Sequence, residues 1–80
     1  MKHVRVQYFA ILREQRGAAE EDCRTSAATP ADLYEELRLR HGFSLPGERV
    51  RAAVNDEFAD PAAPFRDGDR IGFLPPVAGG

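Results

Sequence analysis

The sequence predicts an α+β fold, a mixed sheet packed on one main helix with an extended C-terminal tail. Three observations carry that prediction. Alternating apolar segments stand near both ends of the chain, at His3–Tyr8 and Arg70–Leu74. A well-marked amphipathic helix lies between them, opened by Thr29-Pro30 and stopped by Gly42. The order strand, short helix, strand, helix, strand, short strand, strand suits a sheet that wraps over one helix. The expected organisation is a folded domain over residues 1–74 and a tail over residues 75–80.

The elements follow in order. In His3–Tyr8, Val4, Val6 and Tyr8 share one face, as in a half-buried strand. Ala10–Arg16 reads as about two helical turns, closed by Gly17 at a C′ position. Glu20 to Ser26 is short and polar, and reads as an edge strand paired with the first, with charges guarding the edge. Thr29 fits an N-cap, Pro30 the first helical position, and Asp32 the third position of a capping box. Leu33 and Leu37 lie on one helical face beside Tyr34, while Asp32, Glu35 and Glu36 precede Arg38, Arg40 and His41, matching the helix dipole. His41 is read as a dipole partner rather than a base, because no neighbouring nucleophile or carboxylate completes a site.

Val50–Val54 is the next strand, with Val50, Ala52 and Val54 inward. Asn55-Asp56 turns the chain toward Phe58, Pro61 and Pro64 exclude regular structure, and Asp67-Gly68-Asp69 is a turn. Arg70–Leu74 is the last strand, with Ile71 and Phe73 inward. The first and last strands are the most apolar, so they are expected side by side, parallel and central. That arrangement is the β-grasp, or ubiquitin-like, fold.

Composition narrows the function. One small domain of 80 residues buries roughly 60–65% of its unfolded surface. No apolar run is long enough to span a membrane, and no basic stretch precedes an apolar segment as in a secretory leader. Cys23 alone allows no internal disulfide framework and no cysteine-based zinc site, and a cytoplasmic location is expected. Cys23 itself reads as a small, partly buried strand residue. The net charge of −2 argues against nucleic acid as a partner. Lys2 is the only lysine, so the chain is a poor acceptor for conjugation to itself.

The end of the chain is its most distinctive part. Pro75-Pro76 favours an extended exit, and residues 75–80 reach roughly 20 Å. Gly79-Gly80 carries no side chains to clash with a narrow channel and ends at a carboxylate. The plain alternative is a frayed terminus. Frayed ends usually carry Ser, Lys or Glu, whereas this one reads Pro-Pro-Val-Ala-Gly-Gly straight after an apolar strand.

Three apolar residues fall out of phase with the inward sets. Phe9 follows Arg5 and Gln7 onto the outer face, Leu74 follows Arg70 and Gly72, and Phe58 sits at a polar hairpin. With the first and last strands adjacent, these three form an exposed patch at the base of the tail, suited to a protein partner, unless residues 59–66 fold back over it.

The sequence contains no Ser/His/Asp arrangement, metal-ligand spacing or phosphate-binding glycine loop. The C-terminal carboxyl is therefore the reactive group on offer. A carboxylate is a poor electrophile and needs activation, most simply by adenylation with ATP and Mg²⁺ on another enzyme. Attack on the acyl-adenylate by an amine, a thiol or a sulfide equivalent then follows, and sulfide leaves a nucleophilic thiocarboxylate.

Phe9-Ala10-Ile11-Leu12-Arg13-Glu14, Ala53-Val54-Asn55, Asp67-Gly68-Asp69 and Phe73-Leu74-Pro75-Pro76-Val77-Ala78-Gly79-Gly80 together resemble the small subunits of molybdopterin synthase, the MoaD-like sulfur carriers. The resemblance spans the chain. It implies a sulfur-donor subunit that is not itself catalytic. Gly80, beside Gly79, would be adenylated by a ubiquitin-activating-like enzyme, loaded by a sulfur-donor system and inserted into the large synthase subunit. There sulfur passes to cyclic pyranopterin monophosphate, and two transfers build the dithiolene of molybdopterin. The implied assembly has two small and two large subunits, and no cofactor is bound by the carrier.

By the same resemblance Phe9, Phe58 and Leu74 match the family's contact surface, continued by Pro75, Pro76 and Val77. Arg13 matches an arginine that contacts the activating enzyme, and reads equally well as a solvated helix residue. Leu74 stands where relatives often carry an aromatic. Two alternatives remain: a sulfur carrier for thiamine thiazole synthesis, whose members are typically shorter and lack Pro-Pro, and a protein modifier joined to lysine through Gly80. An inert module with an incidental tail is a third.

Overall fold

Val4, Val6 and Tyr8 alternate along β1 (Lys2–Tyr8), and all three are buried in the computed structural model, which describes residues 1–76. β1 pairs antiparallel with β2 (Glu20–Thr25), Val4 facing Cys23 and Val6 facing Glu21. Arg5 bridges to Glu20 and Asp22 across this edge, so the charges that guard it are also paired. Between the strands lies α1 (Ile11–Arg16). It starts one residue later than the sequence predicts, because Ala10 takes a positive φ of 53° that a helix does not admit. Gly17, at φ 82°, ends it by donating its N–H to the Arg13 carbonyl at 2.9 Å.

α2 (Pro30–His41) forms where the capping signals place it. Thr29 Oγ1 accepts the Asp32 N–H at 3.2 Å, and only this half of the expected capping box forms. Leu33, Tyr34 and Leu37 face the sheet and are buried. The Glu35–Arg38 ion pair lies along one flank, and the Glu36–Arg40 pair lies against β2, where Glu36 accepts the Thr25 hydroxyl at 2.8 Å. Gly42, at φ 73°, closes the helix, its N–H bonded to the Arg38 carbonyl.

A 3₁₀ turn over Gly47–Arg49, which has no periodic signal in the sequence, leads into β3 (Arg51–Val54). Val50 is buried but lies just before the strand rather than in it. Asn55 and Asp56 both take positive φ, 52° and 71°, the conformation of a tight two-residue hairpin into β4 (Glu57–Ala59). The Asn55 side chain also ties this hairpin to the last strand, β5 (Arg70–Leu74). It accepts the Arg70 N–H at 3.0 Å and donates to Asp69 Oδ1 at 3.1 Å.

The five strands form one sheet in the order β2-β1-β5-β3-β4. β1 and β5 are parallel neighbours, Val6 facing Ile71 and Tyr8 facing Phe73, while β3 lies antiparallel on the other flank of β5. This is the ubiquitin-like β-grasp arrangement expected from the sequence. Its core joins the inward strand residues to Leu33, Tyr34 and Leu37, and adds Leu12, Phe43 and Phe65. Phe65 comes from the proline-bounded segment between β4 and β5. That segment turns toward the helix, where the Pro61 carbonyl accepts the Ala31 N–H at 3.0 Å. It therefore leaves the outer face of the sheet open.

Candidate functional site

The strand registers bring one outward row of residues across the sheet: Gln7 beside Gly72, Gly72 beside Ala53, and Ala53 beside Phe58. Two of these side chains are absent or minimal, so the middle of the row is low. Phe9, Leu74 and Asp56 complete the walls of a shallow apolar depression of about 190 Å³. Phe58 is 69% exposed and Phe9 42% exposed, while Leu74 is half-buried. The three out-of-phase residues thus do meet, and residues 59–66 do not cover them.

A second groove runs from the 3₁₀ turn to the root of the tail. Glu48, Arg49, Val50, Arg51, Pro75 and Pro76 line it, and it shares Phe58 and Leu74 with the first. The Arg51 guanidinium stands 5.3 Å from the centre of the Phe58 ring. Pro75 and Pro76 follow β5 without regular secondary structure. Val77, Gly79 and Gly80 lie outside the described residues. Arg13 is exposed on α1 and lines neither depression.

Sequence patterning located the aromatic walls but missed the floor, Gly72 and Ala53, and the arginine rim. The signal for the floor was available only through pairing: Gly72 lies on the outer face of a central strand, opposite Ala53. Arg51 alternates with Ala53 on that face and carried no apolar mark to single it out.

A cluster of titratable groups lies elsewhere, on the helix side of the sheet. Glu21 Oε2 accepts from Arg16 at 2.9 Å, and Glu21 Oε1 meets the Tyr8 hydroxyl and His41 Nε2, the latter at 2.9 Å. Burial pushes the Glu21 carboxyl up, but hydrogen bonds from Arg16, Tyr8 and His41 outweigh it, and its pKa falls to about 2. Burial and then the Glu21 carboxylate raise the Tyr8 phenol. The expectation that His41 has no carboxylate neighbour is corrected: Glu21 is 20 residues away in sequence and reaches it through the β1–β2 pairing. These contacts tie β1, α1, β2 and α2 together through one carboxylate.

Cys23 is buried, and burial raises its thiol pKa, which suits an inert core residue. Among the described residues no group of His, Cys, Asp or Glu is placed to hold a metal, and no helix is long and apolar enough to cross a membrane.

The model of the ThiS family matches residues 6–80, nearly the whole chain. The chain belongs to the ThiS family. It is 30% identical to the molybdopterin synthase sulfur carrier subunit of Escherichia coli K12, over 96% of this chain and 99% of that protein. Among solved structures, it resembles a putative molybdopterin converting factor subunit 1 from Pyrococcus furiosus, with a TM-score of 0.78 and 33% identity, covering 96% of this chain and all of that one. It also resembles the small archaeal modifier protein 1 of Methanosarcina acetivorans, with a TM-score of 0.77 and 26% identity, covering 100% of this chain and 98% of that one. A third similar structure is a complex of subunits 1 and 2 of molybdopterin-converting factor from Helicobacter pylori, with a TM-score of 0.66 and 28% identity, covering 98% of this chain and 99% of that one.

Proposed function

We propose that this ThiS-family chain is the sulfur carrier subunit of a molybdopterin synthase, working through a thiocarboxylate at Gly80. The observation that carries the reading is the position of β5. The strand leading to the Gly-Gly end is held between β1 and β3, and an open apolar patch of Phe9, Phe58 and Leu74 adjoins its exit. A rigid base beside a docking surface presents a slender end to a partner's channel. The full-length likeness to the Escherichia coli carrier supports sulfur as the cargo.

The chemistry begins when the Gly80 carboxylate attacks the α-phosphorus of ATP on an adenylating enzyme, with Mg²⁺, and pyrophosphate leaves. A sulfide equivalent from a donor system displaces AMP and leaves the thiocarboxylate. The sulfur then passes, within the large subunit, to cyclic pyranopterin monophosphate, and a second loaded carrier supplies the second sulfur. An assembly of two small and two large subunits gives each active site its own carrier. The catalytic groups belong to the large subunit, and this chain contributes the tail, with Gly79 keeping it slim, and the patch, continued by Pro75, Pro76 and Val77. Arg13 serves the adenylating enzyme, and the complex works in the cytoplasm.

A second reading, a protein modifier joined through Gly80, is favoured by the likeness to the Methanosarcina acetivorans modifier. The lone lysine here is already engaged, Lys2 Nζ bonding the Ala27 carbonyl at 2.9 Å and lying 4.3 Å from the Phe65 ring centre. That makes self-conjugation unfavourable but leaves other targets open.

The deciding experiment is intact mass spectrometry after incubation with ATP, Mg²⁺, the organism's own adenylating enzyme and a sulfide source. The expected product is heavier by the exchange of one oxygen for sulfur. No change in mass, or accumulation of covalent conjugates instead, overturns the carrier reading. A residue added after Gly80 is expected to abolish loading while the fold stays intact.

A further inference from the structure

We propose that Arg49 and Arg51 form a cationic rim that receives a carboxylate-bearing, aliphatic segment of the large synthase subunit. The proposal rests on the sulfur-carrier reading and names a second contact beside the apolar patch.

Five of the arginines are spent on ion pairs within the chain: Arg5, Arg16, Arg38, Arg40 and Arg70. Arg49 and Arg51 have no carboxylate within ion-pair distance among the described residues, although both are exposed on a chain of net charge −2. They stand together on the groove that ends at Pro75 and Pro76. The third charged residue of that groove is Glu48, so its rim has a net charge of +1.

The Arg51 guanidinium lies within cation–π distance of the Phe58 ring, 5.3 Å from its centre, which favours this position for a planar fork that can grip a carboxylate through two parallel bonds. The floor of the same groove is apolar, from Val50 and Leu74. An uncharged segment covering it would strip water from two guanidiniums without replacing it, which is costly. A purely charged segment would leave the floor wet. A carboxylate flanked by aliphatic side chains satisfies both demands.

The choice of partner follows from continuity. Phe58 and Leu74 belong to both depressions, so one protein that covers the Phe9–Phe58–Leu74 patch also covers the rim.

The test measures binding of the full chain to its own large subunit at about 50 and about 300 mM salt, for wild type, Arg49→Glu, Arg51→Glu, the double variant and Arg51→Lys. Circular dichroism and urea unfolding check that these exposed substitutions leave the fold intact. The expected result is a loss of roughly tenfold or more at low salt for the double variant, with a flattened salt dependence, and a smaller loss for Arg51→Lys. Wild-type binding with all variants within about twofold of it overturns the rim alone. A loss seen only in adenylation, with the large-subunit complex unchanged, overturns the choice of partner. Wild type failing to bind the large subunit at all overturns the sulfur-carrier reading, and the rim with it.

Discussion

Phe9 and Gly72 meet on the outer face of the sheet, where a methyl group at residue 72 would stand 3.3 Å from Phe9 Cε2. Gly72 is the reason the ring can lean over the central strand instead of standing clear of it. The neighbouring Ala53 keeps the floor low on the other side, 3.8 Å from the same methyl position.

That closeness predicts a graded response. In Gly72→Ala the added methyl meets the free end of a partly exposed ring, which tilts away, so stability changes by less than about 1 kcal/mol. Gly72→Val fills the depression and displaces the ring, costing about 1–3 kcal/mol. Urea unfolding of both variants checks this. Equal, negligible effects would show that the ring is not seated over residue 72.

Phe58→Ala separates folding from binding. The ring is 69% exposed, so its loss changes stability by no more than about 0.5 kcal/mol. On the sulfur-carrier reading, with Phe58 as an anchor of the docking patch, large-subunit affinity is expected to fall by about tenfold or more. Calorimetric titration beside thermal melts measures the two effects separately, and an unchanged affinity would remove Phe58 from the interface.

Glu21 gives the fold a defined acid sensitivity. Its carboxyl has an ordinary pKa of 4.5 and a folded pKa of about 2, so the folded state favours the charged form. The resulting stabilisation is complete above about pH 4.5 and is lost as pH falls toward about 2. Glu21→Gln is expected to cost about 1–3 kcal/mol at pH 7, from charge-assisted hydrogen bonds to Arg16, Tyr8 and His41. Urea unfolding from pH 7 down to about pH 2 should show the gap between wild type and variant closing below about pH 4.5. A gap that stays constant would mean that Glu21 acts through shape rather than charge.

Cys23 should resist alkylation in the native protein. It is 3% exposed, and burial raises its thiol pKa. Intact mass after iodoacetamide treatment near neutral pH should show no adduct in buffer and a full one in urea. Rapid native labelling would place the thiol outside the core.

The sequence was most legible where a signal is local. Thr29-Pro30, the alternation of β1 and β5, and the Asn55-Asp56 turn each declare themselves within a few residues, and each forms as read. Parallel pairing of the two terminal strands followed from their shared apolar character. What stayed hidden depends on contacts between distant segments. Phe65 has no periodic neighbours, and its burial is set by the loop turning onto α2. The Glu21–His41 contact spans β2 and the end of α2, and no pattern within either segment foretells it. In the candidate site the protruding aromatics were visible as exceptions to alternation, whereas Gly72 and Ala53 looked like weak strand positions until the register set them side by side.

The flanking of β5 by β1 and β3 has a mechanical consequence. A partner that grips the tail and pulls along the strand loads hydrogen bonds that run across the direction of force, to a parallel neighbour on one side and an antiparallel one on the other. Those bonds share the load in shear rather than opening one after another like a zipper. On the sulfur-carrier reading, a partner that draws on the tail therefore loads both neighbours of β5 at once, and the pull is spread across the middle of the sheet instead of falling on an edge strand.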